Sequence, residues 1–134
     1  MDAAVLPVAT VIFYVGQGRS GEPALFRQAG ESAPEELVEG VEQLQILYGE
    51  DTDGDGRTNR YLAADGAGLD FSRVVSLRLA LLVRSPLPAA EPDTGRVYLM
   101  GGATATTALS VVAPADGRAR QVFSTTIQLR NHLM

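Results

Sequence analysis

The stretch "FSRVVSLRLALLVRS" carries the strongest pattern in the chain. Val75, Leu77, Leu79, Leu81 and Val83 fill every odd position, while Ser76, Arg78 and Arg84 punctuate the even ones. Side chains of a strand alternate between faces, so this period of two predicts a central strand whose odd face lies in the core. The same alternation returns in "RQVFSTTIQLRN", where Phe123, Thr125, Ile127 and Leu129 interleave with Ser124, Thr126, Gln128 and Arg130. Near the start, Val8 to Val15 is β-branched and aromatic throughout and predicts a strand buried on both faces. "GQGRSGEP" then reads as a turn and "ALFRQ" as a return strand, which makes a hairpin.

The middle of the chain mixes two periods. Leu37, Val38, Val41, Leu44 and Tyr48 recur at helical spacing, whereas Leu44, Ile46 and Tyr48 alternate as a strand does. Ser32 is placed to cap a helix ahead of Pro34 and Glu35. Gly40, which costs a helix interior about 1 kcal/mol relative to alanine, argues against one continuous helix. The expectation is a helical turn over 35–39, its N-terminal dipole facing Glu35 and Glu36, and a strand over 41–49. "RVYLM" adds a short strand after the proline-rich loop "SPLPAAEPDTG", and "GGATATTALSVVAPADGRAR" supplies one weak strand in the least ordered region. Strands outnumber helices and no βαβ repeat occurs. The fold class is therefore α+β, mostly β, built on an antiparallel sheet.

Length and composition narrow the function. A chain of 134 residues suffices for one domain with its own core. Its 11 basic residues, all arginine, face 16 acidic ones, for a net charge of −5. Phosphate-tracking proteins need a basic footprint, so nucleic acid is not an expected partner. There is no cysteine, which excludes disulfides and thiolate chemistry. The apolar run Ala3 to Val15 falls short of the roughly 20 residues of a membrane helix and lacks the basic start of a signal peptide.

Two motifs invite a chemical reading. Gly16, Gly18 and Gly21 spell G-x-G-x-x-G after a strand. A dinucleotide site needs that loop to open a helix whose amides receive the pyrophosphate, and "EPALFRQ" leaves no room for one. These glycines are read as a hairpin turn, supplying positive-φ positions.

The second motif is "EDTDGDGRTNRYL". Asp51, Asp53 and Asp55, with Gly56 behind them, reproduce the first half of a calcium loop; the Arg57 carbonyl is the next ligand, and Asn59 sits at the ninth position, where a ligand or bridging water is expected. Alternate carboxylates converge on one hard cation and the glycine permits the bend. The twelfth position is Leu62 instead of glutamate, and strands flank the loop where helices are usual. Glu50, Asp65 or Asp70 are the acids near enough to replace the missing ligand. Two readings stay open: a solvated turn, or a weak calcium site that orders the loop.

Catalysis finds little support. The one histidine, His132, lies three residues from the C-terminus, and no G-x-S-x-G occurs. Arg78 and Arg84 share a strand face with Leu82, where salt bridging is the favoured role. The chain is not expected to be an enzyme.

Three blocks in order, "ELVEGVEQLQILYGEDTDGDG", "FSRVVSLRLALLVRS" and "RQVFSTTIQLRN", resemble the C-terminal part of PilW-type minor pilins of type IV pili. The "FYVG…ALFRQ" hairpin is similar to the segment that precedes them, and the same order is more distantly similar to the J-type minor pseudopilin of type II secretion. The resemblance implies a pilin-like head, a single domain over 1–134, whose antiparallel sheet takes a long N-terminal helix. It implies a subunit that helps prime or tip pilus assembly by protein–protein packing, with other minor pilins and the major pilin as partners. Its place would be the periplasm and inner membrane, then the pilus or cell surface.

The leader, cleavage site and hydrophobic helix of such proteins are not in this chain. Met1 then reads as a start placed on a trimmed fragment, and membrane contact would come only through that helix. The cysteine pair frequent in the family is also missing. On this reading Val75–Val83 and Phe123–Leu129 form the sheet's inner face. The faces carrying Arg78, Arg84 and Arg130, with the 85–95 and 101–120 loops, are left to partners. The alternative is a stand-alone calcium-dependent binding or adhesion module.

Overall fold

The computed structural model describes residues 8–101 and 109–129. Contacts divide the chain into two compact units, Met1–Val41 and Glu42–Met134. Strands dominate both, and the paired strands run antiparallel.

The first unit is the sheet β1 (Val11–Gln17), β2 (Pro23–Ala29) and β3 (Glu35–Glu39), in that order. The β1–β2 hairpin is the one the sequence predicts. Gly18 and Gly21 close it, with the Gly18 amide on the Glu22 carbonyl and the Gly21 amide on the Gly18 carbonyl. Gly21 alone of the three motif glycines takes positive φ, at 87°, while Gly16 lies inside β1. The fingerprint is thus a hairpin. Stacking of Tyr14 on Phe26, with ring centroids 5.4 Å apart, holds the two strands on one face.

Two expectations fail here. The strand expected to be buried on both faces is largely exposed, with Val11, Ile12, Phe13 and Tyr14 between 36% and 50% accessible. The helical turn over 35–39 is instead β3, paired with β2 through Ala24↔Glu39 and Leu25↔Val38. Helical spacing over five residues is weak against a ladder, because one turn of helix fixes several dihedrals for a single bond. Ser32 caps no helix. Glu35 and Glu36 answer to Arg27 at 3.6 Å and to the Arg19 amide at 3.0 Å, not to a helix dipole.

The second sheet is ordered β5 (Arg60–Leu62), β4 (Val41–Glu50), β6 (Val74–Arg84) and β9 (Arg120–Gln128). The Asp51 amide bonds the Arg73 carbonyl, and at the other end Glu42 meets Arg84, so β4 runs antiparallel to β6. A short 3₁₀ turn over Phe71–Arg73 precedes β6, capped by Asp70. A separate hairpin, β7 (Val97–Met100) with β8 (Leu109–Val112), covers one face of this sheet.

That covered face is the even one. Ser76, Ala80 and Leu82 are at most 1% exposed, and Ala80 and Leu82 cluster with Tyr98, Met100 and Ala113. The sequence had assigned the core to the odd residues, because those are larger and more apolar. Sterics explain the inversion: small side chains at Ser76 and Ala80 let the hairpin approach closely enough for Tyr98 and Met100 to fill the space.

Candidate functional site

The acidic loop lies between β4 and β5. Asp51 is buried at 7% exposure, while Asp53 and Asp55 are exposed, and one carboxylate oxygen from each lies within 4.8 Å of the others. The backbone builds this cluster. Asp51 Oδ1 accepts the amides of Asp53 and Gly54, at 3.2 and 2.7 Å, and Oδ2 accepts that of Gly56 at 2.7 Å. Asp53 takes the Asp55 amide, and Asp55 the Arg57 amide. Gly54 and Gly56 supply positive φ of 82° and 81°, which these reversals require.

The amide of Gly56, aided by those of Gly54 and Asp53, holds the Asp51 carboxyl below its ordinary 3.8 against the opposing effect of burial. A carboxylate has about four lone-pair sites, so Asp51 keeps one on Oδ2 after these bonds.

Asn59 bonds within the loop. Its Oδ1 accepts from the Thr52 amide at 2.6 Å and hydroxyl at 3.1 Å, and its Nδ2 donates to Asp53. It staples the loop. Of the acids that might stand in for the absent glutamate, Glu50 is bound to Arg60 at 2.7 Å and Asp70 to Ser72 at 2.6 Å, while Asp65 is exposed. The chain therefore brings three of the five named residues together as carboxylates and spends Asn59 on loop closure. Arg57 takes part through its amide.

A second cluster, not foreseen as a unit, lies on the covered face. Arg84 and Arg120 stand directly opposite each other on β6 and β9, a like-charge pair that is unfavourable alone. Carboxylates from three other segments resolve it. Arg120, whose side chain is fully buried, bonds Glu42 through Nε and Nη2 at 2.6 and 2.9 Å. Its Nη1 bonds Asp93 at 3.3 Å and Asp116 at 3.1 Å, and Nη2 also bonds Asp116. All five guanidinium N–H groups are thus used. Arg84 reaches Glu42 at 3.3 Å and Asp116 at 4.0 Å.

Tyr98 completes the cluster, its hydroxyl on Asp93 and on the Arg120 carbonyl. The Arg120 hydrogen bond lowers Asp116 to about 2. Burial, then Asp93, pushes Tyr98 up. Arg78 lies 3.8 Å over the Tyr61 ring and donates to the Gly101 carbonyl. The arginine-bearing face expected to meet partners is therefore closed by the molecule's own acids and hairpin, while Arg130 and His132 lie outside the described residues. The sequence signal was present: arginines in phase with Leu82 within an apolar strand need buried partners.

The odd face is the less covered one, with Val75 buried but Leu77, Leu79, Leu81 and Val83 only half-buried. Leu81 stands opposite Phe123 and Leu77 opposite Ile127; the leucines are half-buried, and Phe123 and Ile127 are 53% and 45% exposed. On β4, Gln45 bonds the amide of Leu109 in the covering hairpin. Gln45 and Leu47 both face that hairpin, so Leu44, Ile46 and Tyr48, interleaved with them, take the other face, whereas Glu42 at the start of the strand departs from this alternation and reaches the covered side. Tyr48 meets Phe71 edge-on at 5.2 Å. Three adjacent strands thus present a contiguous aliphatic and aromatic surface. No formal charge lies among the residues named on this surface.

A family model for the type IV pilus-assembly protein W, PilW, matches residues 12–131. The chain belongs to the PilW family. No curated protein and no solved structure matches it. Membership gives the chain a role in type IV pilus assembly, which places it in the cell envelope or on the pilus and among other pilus components. Among the described residues no helix is long and apolar enough to cross a membrane. The face of β4, β6 and β9 bearing Phe123 and Ile127 is one exposed apolar feature of the 42–134 unit, and Val97, Leu99 and Val112 on the β7–β8 hairpin are another.

Proposed function

We propose that this chain is the head of a minor pilin that helps prime or tip type IV pilus assembly through packing, with no catalytic step. One observation carries the reading: the sheet covers its even face with its own hairpin and acids, while on the other face Phe123 and Ile127 stand exposed beside half-buried Leu77, Leu79 and Leu81. A surface of leucines and one phenylalanine, without charges, suits an apolar helix. The hydrophobic N-terminal helix of a pilin, whether its own or a neighbour's, has that chemistry. Other minor pilins and the major pilin are the proposed partners, first in the periplasm and at the inner membrane and later in the fibre. One pilin-like domain over 1–134 is part of the same proposal.

The test is the pair Phe123→Arg and Ile127→Arg, introduced into the chromosomal gene of the host cell. Both side chains are about half exposed, so the fold should hold with a melting temperature within a few degrees of wild type. Pilus assembly, and co-purification with other minor pilins, should be lost. A folded double variant that assembles pili normally would remove this face from the function.

The alternative, a calcium-dependent binding module, is favoured by one arrangement alone, the convergence of Asp51, Asp53 and Asp55. In that reading the three carboxylates and the Arg57 carbonyl hold the ion, and binding serves to order the loop.

A further inference from the structure

β1 pairs with β2 and, among the described residues, with no strand on its other side. The backbone groups on that open edge can be assigned. At one end of the hairpin the Gly30 amide bonds the Thr10 carbonyl, and at the other the Gly18 amide bonds the Glu22 carbonyl. Even residues of β1 therefore face β2. Since bonding alternates along an antiparallel strand, the N–H and C=O groups of Val11, Phe13, Val15 and Gln17 point outward.

The side chains along this edge are equally unguarded. "VIFYVGQ" contains no carboxylate, ammonium or guanidinium group and no proline. Edge strands are normally protected by charge, proline or a bulge. The bulge of this sheet lies between Leu25 and Phe26, where β2 meets β3, and not along β1. The opposite edge differs sharply: β3 places Glu35, Glu36 and Glu39 within five residues.

We propose that β1 is a docking edge for β1 of a second copy of this chain, the two strands pairing antiparallel about a two-fold axis. A row of outward amides and carbonyls at strand repeat is matched fully only by another strand. Two copies of β1 meet without opposing any pair of charges. Two copies of β3 would set glutamate against glutamate, which disfavours pairing. Joining β1 to β3 offers the three glutamates no countercharge, and that head-to-tail contact does not close. The two-fold β1 pairing extends the three-stranded sheet to six. It rests on the β1 edge alone and does not depend on the role proposed for the β6–β9 face.

Sedimentation equilibrium of the 134-residue chain over a rising concentration series tests it. Wild type should show a monomer–dimer equilibrium. Val11→Pro removes an outward donor and leaves the bonds to β2 in place. Phe13→Lys sets like charges close together across the two-fold axis. Each should weaken dimerisation at least tenfold with the far-ultraviolet circular dichroism unchanged, whereas Leu37→Lys on β3 should leave it as in wild type. If the proline variant fails to fold, the lysine variant, whose backbone is intact, decides the matter. A chain monomeric throughout the series, a dimer indifferent to the folded β1 variants, or one weakened equally by Leu37→Lys overturns the proposal.

Discussion

Replacing Arg120 by methionine tests whether the buried cluster holds the second unit together. Methionine keeps much of the length and apolar stem of arginine, so the change removes charge and hydrogen bonds more than volume. Five donor bonds disappear, and Glu42, Asp93 and Asp116 are left with Arg84 as the remaining cation of the cluster. Removing one member of a buried ion pair typically costs about 3–5 kcal/mol, because the survivor stays desolvated and uncompensated.

The geometry places this case near the lower end of that range. The Asp116 side chain is 29% exposed and Glu42 17%, so both can recover water, and Asp93, at 7%, keeps its bond from Tyr98. A loss of about 3 kcal/mol is therefore expected, a large share of the roughly 5–15 kcal/mol that stabilises an ordinary domain. For a chain of this size the midpoint should fall by roughly 10 °C. A thermal melt followed by circular dichroism measures the midpoint and urea unfolding the free-energy loss, where an unchanged dependence on denaturant would show that the native state stays compact.

Arg120→Lys refines the test. An ammonium restores charge but not the planar fork that serves three carboxylates, so it should recover part of the loss and not all of it. A methionine variant within 1 kcal/mol of wild type would refute the reasoning. It would mean that the carboxylates find other partners or water at no cost, and that the like-charge pair Arg84↔Arg120 does not need this arrangement.

Three further outcomes are expected. Asp116 has a folded pKa of about 2 against 3.8 when unperturbed, so its stabilising contribution is complete above about pH 4 and is lost as pH falls through 2; unfolding free energies of wild type and Asp116→Asn should converge across that window. Gly49→Ala should destabilise by about 1–3 kcal/mol in a thermal melt, since a Cβ there would collide with the Ser76 hydroxyl and crowd Thr58, two hydroxyl residues whose oxygens are 2.6 Å apart in a partly buried bond. If the 51–59 loop holds calcium, millimolar calcium should raise the melting temperature over excess chelator and Asp53→Asn should reduce the rise; identical melts would leave the loop as a hairpin turn.

Much of this architecture was legible in the sequence for a physical reason. A strand buried on one face writes a period of two, and the alternations at Val75–Val83 and Phe123–Leu129 became β6 and β9, paired as Leu77↔Ile127 and Leu81↔Phe123. The short helix was misread because Leu37, Val38 and Val41 satisfy both periods over so few residues, and the β2 ladder decided between them. At the acidic loop, spacing gave the convergence of the three aspartates but not the fate of Asn59. Which amides a side chain accepts depends on the turn's dihedrals, and composition does not carry those.

The inverted faces show where period alone stops being informative. Alternation says that two faces differ; it does not say which one the rest of the chain covers. In this sheet the more apolar odd face is the less covered one, while the even face, carrying Ser76, Arg78, Ala80, Leu82 and Arg84, is closed by the β7–β8 hairpin and by carboxylates from β4 and two loops. A chain that buried only for its own stability would close the apolar face first, because each buried leucine contributes about 1.5–3 kcal/mol. Leaving that face less covered while building a costly ionic cluster beneath the other makes sense if another apolar element completes the fold or the assembly. The cluster then has a second consequence. By fixing β4, β6 and β9 through one guanidinium group and its neighbours, it keeps the open surface in a single shape, so that a docking helix meets a preorganised sheet and loses little on ordering it.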